Sequence, residues 1–152
     1  MGMDIESRRQ TRRRPGSVAI LAWLRLARFT NKVTRIGGEQ LRRQGLSLGQ
    51  FGVLAHVGAA EGMSQTELAE ALSLTQGNVC QLIDKLERAG LLLRRPEGRT
   101  NRLYLTERGQ ALYDDVVPAH EAVIEGLFSS LAPPQQAELL TLVRTLDRAA
   151  EG

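Results

Sequence analysis

The sequence predicts a mainly α-helical fold carrying a single small β hairpin, and three observations lead there. Apolar stripes recur at helical spacing near both ends: Ala22, Leu26, Phe29, Val33 and Ile36 at the front, and Leu112, Val116, Val123 and Leu127, with His120 among them, at the back. Residues that cap helices stand ahead of the central apolar runs, namely Ser64 with Glu67 three positions on, and Thr75. The helical period breaks at Leu91–Arg95 and Arg102–Leu105, two strand-like segments separated by Pro96, Glu97, Gly98, Arg99, Thr100 and Asn101.

The elements follow in order. Residues 1–16 contain Arg8, Arg9, Arg12, Arg13 and Arg14, hardly an apolar side chain, and Pro15-Gly16 at the end, which reads as a flexible basic arm. A helix starts at Ser17, and Gly37-Gly38 is expected to weaken its end. A second follows Ser47, carries Phe51, Leu54 and Val57 on one side, and stops near Gly58 or Gly62. Ser64 opens a short helix that buries Leu68 and Leu72, while Thr75 opens another that ends at Gly90. Two short helices joined by a tight turn form a helix-turn-helix, and a basic hairpin directly behind it is a wing. Beyond Thr106 a long helix containing Pro118 is expected to bend there, with a break as the alternative, and Pro133-Pro134 opens a last helix with Leu139, Leu142, Val143 and Leu146. Residues 46–106 are therefore a winged helix-turn-helix lobe, flanked by terminal helices at 17–45 and 107–150.

Composition narrows the function. With 152 residues, 42% of them apolar, the chain can build a core without staples. Cys80 is the only cysteine, so no internal disulfide or CxxC zinc motif is possible, and the expected compartment is the reducing cytoplasm. No apolar run approaches the roughly 20 residues a bilayer span needs, so no membrane is expected as partner. There is no Gly-rich phosphate loop, GxSxG or HExxH, and no acidic residue or cysteine stands at ligand spacing from His56 or His120. The expectation is a non-enzyme with no catalytic residues, metal or cofactor.

Charge is uneven. Residues 1–45 carry a net +8, residues 46–106 balance, and residues 107–152 carry −5. Eighteen of the twenty basic residues are Arg, whose planar fork matches phosphate and guanine. Together with the helix-turn-helix this implies double-stranded DNA as partner. Val79, Leu82, Ile83 and Leu86 take the inner face of the second motif helix. That leaves Thr75, Gln76, Gly77, Asn78 and Gln81 for the major groove, where Asn and Gln suit adenine and a glycine permits close backbone approach. Phosphate neutralisation falls to Lys85, Arg88, Arg94, Arg95, Arg99 and Arg102, with Arg99 nearest the hairpin tip and assigned to the minor groove. The terminal helices carry apolar stripes that a lobe of this size cannot cover, which implies a homodimer. Two readings stay open beside this one: a winged helix that binds protein, and a redox-responsive regulator using Cys80.

Several phrases resemble the MarR family of bacterial regulators: SQTELAEAL, LIDKLERAGLL, RLYLTERG, and VVPAHE followed by LAPPQQAELLTLVRTL. Their order and spacing cover nearly the whole chain after the arm. Where the family commonly has Asp-x-Arg in the wing, this chain has Glu97, Gly98 and Arg99. The resemblance implies dimerisation through the terminal helices, palindromic operators, repression, and release by a small aromatic or anionic effector. It further implies an effector site near Trp23, Arg28, Phe51 and Tyr113, a set that suits a planar carboxylate. The family's peroxide sensors place their cysteine near the start of the first long helix, where this chain has none.

Overall fold

A computed structural model describes residues 16–152, so nearly all of the basic arm read from the sequence lies outside the described residues. The elements are α1 (Val18–Arg43), α2 (Leu48–Ala59), α3 (Gln65–Leu72), α4 (Gln76–Arg88), β1 (Leu92–Glu97), β2 (Thr100–Leu105), α5 (Glu107–Phe128) and α6 (Pro133–Ala150). The expected six helices and hairpin are all present. The described residues divide into two compact units, one ending at Thr34 and one spanning Arg35–Gly152.

In the first unit, Ser17 Oγ accepts a hydrogen bond from the Ile20 amide (3.3 Å) at the start of α1. Along this stretch Val18, Ile20, Leu21, Trp23, Leu24, Leu26 and Phe29 are exposed.

The second unit holds the core. Caps set its helix starts: Ser47 pairs reciprocally with Gln50 (3.1 and 2.9 Å) and Ser64 with Glu67 (3.1 and 2.8 Å). Leu41, Val53, Leu54, Val57, Leu68, Val79, Ile83, Leu86, Leu92, Leu103 and Val116 are fully buried, drawing on every element of the unit except α6. Each such side chain contributes about 1.5–3 kcal/mol by leaving water.

Two expectations need correction, and an alternative left open at Pro118 is closed. The first helix does not weaken at Gly37-Gly38 but runs on to Arg43. Gly37 is buried because the His120 ring of α5 occupies its side, and a Cβ there would stand 2.6 Å from His120 Cε1. The pair of glycines is a seat for a neighbouring helix rather than a terminus. The break left open at Pro118 is absent: α5 is continuous over 22 residues, with Pro118 on its exposed side. The wing is longer than expected: both strands extend through the anticipated loop, and Pro96 lies within β1. Proline is tolerated there because a two-stranded sheet has only edge strands.

The long helix α5 is anchored at its start. Thr106 Oγ1 accepts from the Gly109 amide (3.0 Å) and donates to the Gly90 carbonyl (2.6 Å), joining α5 to the end of α4. Gly109 lies against the Leu91 carbonyl so closely that a Cβ would overlap it, and farther along α5 the Tyr113 ring lies on Gly58 of α2 in the same manner. By contrast α6 contains no buried residue, and Leu140, Leu142 and Leu146 on it are exposed.

Gly109→Ala is expected to destabilise the chain by about 1–3 kcal/mol, because backbone rather than a movable side chain is in the way. Thermal unfolding checks it: a fall of about 2–4 °C per kcal/mol is expected, and an unchanged midpoint would remove the close α5 packing.

Candidate nucleic-acid interface

The surface of interest is built from α4 outward. Thr75 is extended (φ −70°, ψ 154°) and its Oγ1 accepts from the Asn78 amide (3.2 Å), which fixes the first turn. Val79, Ile83 and Leu86 are buried, and half-buried Leu82 rests against Gly49 of α2, where a Cβ would lie 3.1 Å from Leu82 Cδ2. With that face inward, Gln76, Gly77, Asn78, Gln81, Lys85 and Arg88 are exposed. Positions 78, 81, 85 and 88 are three or four apart, so they form one stripe. Gly77 has no heavy atom within 4 Å of its missing Cβ, so the backbone there is open to solvent.

In the wing, Leu92 pairs with Leu105, Arg94 with Leu103, Arg95 with Arg102, and Glu97 with Thr100. Two residues, Gly98 and Arg99, connect the strands, and Gly98 has φ +63°. A two-residue hairpin loop with a positive φ at its first position favours glycine, so Gly98 in the Glu97-Gly98-Arg99 phrase makes the tip and puts exposed Arg99 on it. A third segment joins the sheet: the Gly62 amide donates to the Leu103 carbonyl (2.8 Å), the Leu103 amide to the Met63 carbonyl (2.9 Å), and Ser64 bridges Arg102. The stretch before α3 thus covers the outer edge of β2.

The six basic residues assigned to phosphate fall into different settings. Arg94 has a side chain only 19% exposed, and its Nη2 donates to Asp84 Oδ1 (2.6 Å), Nη1 to Glu87 Oε1 (3.4 Å) and Nε to Gln65 Oε1 (3.2 Å). Burial draws its pKa down, but the Asp84 hydrogen bond and the charges of Glu87 and Asp84 outweigh that and raise it above the ordinary value. Arg102 Nε meets Glu97 (3.2 Å), while its Nη1 meets Glu67 (3.8 Å) and the Gly62 carbonyl (3.3 Å). Arg95 lies over the Tyr104 ring, 5.1 Å from its centroid. Arg99, Lys85 and Arg88 are exposed and form no ion pair among the described residues.

Sequence reading missed the acceptors of these arginines. Gln65, Asp84 and Glu87 read as ordinary helix-surface residues and Glu67 only as the capping partner of Ser64, and nothing local marks Gln65, which also accepts from Asn101 Nδ2 (3.3 Å). Cys80 is half-buried with its Sγ 3.6 Å from Arg94 Nη2. Among the described residues no group of His, Cys, Asp or Glu could hold a metal.

The four residues assigned to an effector fall in both units. Trp23 (65% exposed) and Arg28 (exposed) belong to the first unit. Within the second, Phe51 packs on the His120 ring (centroids 4.4 Å apart), and Tyr113 packs on Gly58. Burial lowers the His120 pKa against the opposing charge of Glu121, and Nδ1 stands 3.3 Å from Gln40 Oε1. An open cavity of about 460 Å³ lies near the turn between α5 and α6, lined by Ile124, Glu125, Phe128, Ser129 and Gln136 and by none of the four.

A helix-turn-helix with a polar second helix, followed at once by a two-stranded wing, defines a winged-helix DNA-binding protein. Residues 44–102 match the MarR family. An HTH-type transcriptional regulator of Bacillus cereus is 32% identical over 127 residues, covering 84% of this chain and 86% of the relative. The chain belongs to the MarR family of transcription regulators, which are not enzymes. Among solved structures, AbsC of Streptomyces coelicolor shares the fold with a TM-score of 0.83 at 24% identity, over 91% of this chain and 99% of that one. A Mycobacterium tuberculosis MarR family protein in complex with salicylic acid is 27% identical with a TM-score of 0.66, over 87% of this chain and 97% of that one. No helix among the described residues is long and apolar enough to cross a membrane.

The open space at Gly77 gives a direct test of the local geometry. Gly77→Ala is expected to raise stability by about 0.4–1 kcal/mol in the free protein, because its helical backbone suits alanine and the added methyl meets nothing. A lower melting temperature would show that the surface there is not open.

Proposed function

We propose that the protein is a homodimeric, effector-responsive repressor of the cytoplasm, in which the start of α4 reads the major groove of a palindromic operator. The observation that carries this is the exposed polar stripe of α4 beside an exposed arginine at the wing tip. Asn78 and Gln81 are the base-reading side chains, with adenine their natural partner. Thr75, Gln76 and the open backbone at Gly77 lie beside them at the start of α4. Lys85, Arg88 and Arg99 supply phosphate or minor-groove charge, and Arg95 and Arg102 contribute from the outer face of the wing.

Dimerisation is supported by exposed apolar side chains. On α6 Leu140, Leu142, Val143 and Leu146 meet water in the single chain, as do Val18, Ile20, Leu21 and Leu24 on α1. Soluble chains rarely leave such stripes uncovered, and a two-fold axis buries each against its copy. The relative that binds salicylic acid supports a planar aromatic carboxylate as effector, and exposed Trp23 and Arg28 are the side chains assigned to it. Such a molecule releases DNA only to the extent that it prefers the dimer conformation whose recognition helices do not match successive major grooves.

With duplexes selected from a random pool, Asn78→Ala and Gln81→Ala are each expected to cost about 1–3 kcal/mol at one base pair per half-site and leave random DNA binding nearly unchanged. Equal losses on both kinds of DNA would move these residues to the phosphate backbone. Arg99→Ala should weaken both kinds of binding and reduce the salt slope by about one ion per wing.

Sedimentation at micromolar concentration is expected to show a dimer, and charged substitutions at Leu142 and Leu146 should dissociate it. A folded wild-type monomer at that concentration would contradict the dimer.

A further inference from the structure

Arg94 sits where the three DNA-facing elements meet. It projects from β1 on the face of the hairpin that also carries buried Leu92 and Leu103. From there it reaches Asp84 and Glu87 on α4, the Cys80 carbonyl on α4 (3.5 Å), and Gln65 on α3. Gln65 in turn accepts from Asn101 on β2. One guanidinium therefore ties both helices of the helix-turn-helix to the wing, and every one of its nitrogens is engaged within the lobe. A phosphate would have to displace two carboxylates to reach it.

We infer that Arg94 does not touch DNA but is the positioning residue that sets the wing against the recognition helix, so that Arg99 and the α4 stripe engage DNA together. This rests on the DNA-reading function proposed above. The angle between the wing and α4 decides whether the tip reaches the groove beside the one α4 enters. The hydrophobic contacts of Leu92 and Leu103 hold the base of the hairpin, but they lie several residues from Gly98-Arg99. The outer half is constrained by the polar contacts of Arg94 and Asn101 on the inner face, by those of Arg102 along the outer edge, and by the backbone bridge of Ser64 to Arg102. Among these, Arg94 alone has two acidic partners on the recognition helix itself.

The two roles for Arg94 predict opposite signs for one variant. Asp84→Asn with Glu87→Gln leaves the guanidinium in place and removes the two negative charges that hold it, so that its ion pairs become neutral hydrogen bonds. A phosphate-binding Arg94 would be freed, so affinity for the selected duplex would rise at least as much as for random DNA. A positioning Arg94 would lose its hold, and the ratio of selected to random affinity should fall roughly tenfold, the discrimination carried by one well-placed contact. Arg99→Ala, introduced on top of the double variant, should then cost less than half of what it costs in the wild type, because the tip is already misplaced.

The experiment measures affinity for a selected and a random duplex across a salt series, using full-length wild type, D84N/E87Q, R99A and the triple variant, with melting curves to confirm folding. R94Q serves as a second route to the same loss. A fallen ratio together with the reduced Arg99 effect in either background supports the inference. An unchanged or raised ratio with the full Arg99 effect overturns it while leaving the DNA-reading function intact. A wild type that prefers no duplex overturns that function and the inference with it.

Discussion

Val79, Ile83 and Leu86 are withdrawn from water on one face of α4, and that burial fixes how the helix is rotated about its own axis. Because the three are spaced four and three residues apart, the same rotation turns positions 78, 81, 85 and 88 outward. No separate device is needed to present the polar stripe. α2 and α3 pack behind α4 and supply Val53, Leu54, Val57 and Leu68 to the same core. Losing this face would cost several kcal/mol and with it the orientation of every side chain proposed to meet DNA.

The wing depends on the same helix by a different kind of bond. Its inner face begins apolar at Leu92 and Leu103 and turns polar at Arg94 and Asn101, so the base is held by burial and the outer half by charge and hydrogen bonds. Asp84 and Glu87 are poorly placed for a helix that approaches phosphates, since each adds repulsion. Their pairing with Arg94 offsets that charge close to its source. The balanced charge of residues 46–106 is thus spatially sorted: Arg94 and Arg102 face acids, while Arg99, Lys85 and Arg88 face outward.

Most of the fold was legible in the sequence because its signals are local. Ser64 with Glu67, and Thr75, mark helix starts through bonds that span three residues, and the structure contains each of them. Glycines were ambiguous, since whether one ends a helix or seats a neighbour depends on a partner distant in sequence. Gly37 seats His120, Gly58 seats Tyr113, and Gly90 ends its helix region at φ +73° as read. The six wing and helix cations could be named but not sorted, because the acids that engage Arg94 and Arg102 lie on other elements. The pairing of residues 62–64 with β2 was invisible for the same reason. The effector set rests on the resemblance rather than on local signals, and within the second unit Phe51 and Tyr113 pack against His120 and Gly58.

In the proposed complex, two copies of α4 enter successive major grooves while each wing lies on the flanking minor groove. Hydroxyl-radical footprinting of the full-length protein on its selected duplex tests this most directly. The expected result is a two-fold symmetric pattern in which the two half-sites are centred about one helical turn, roughly 10 base pairs, apart, with outer protections that disappear in Arg99→Ala. A single protected patch without symmetry, or a pattern indifferent to the wing, would contradict it.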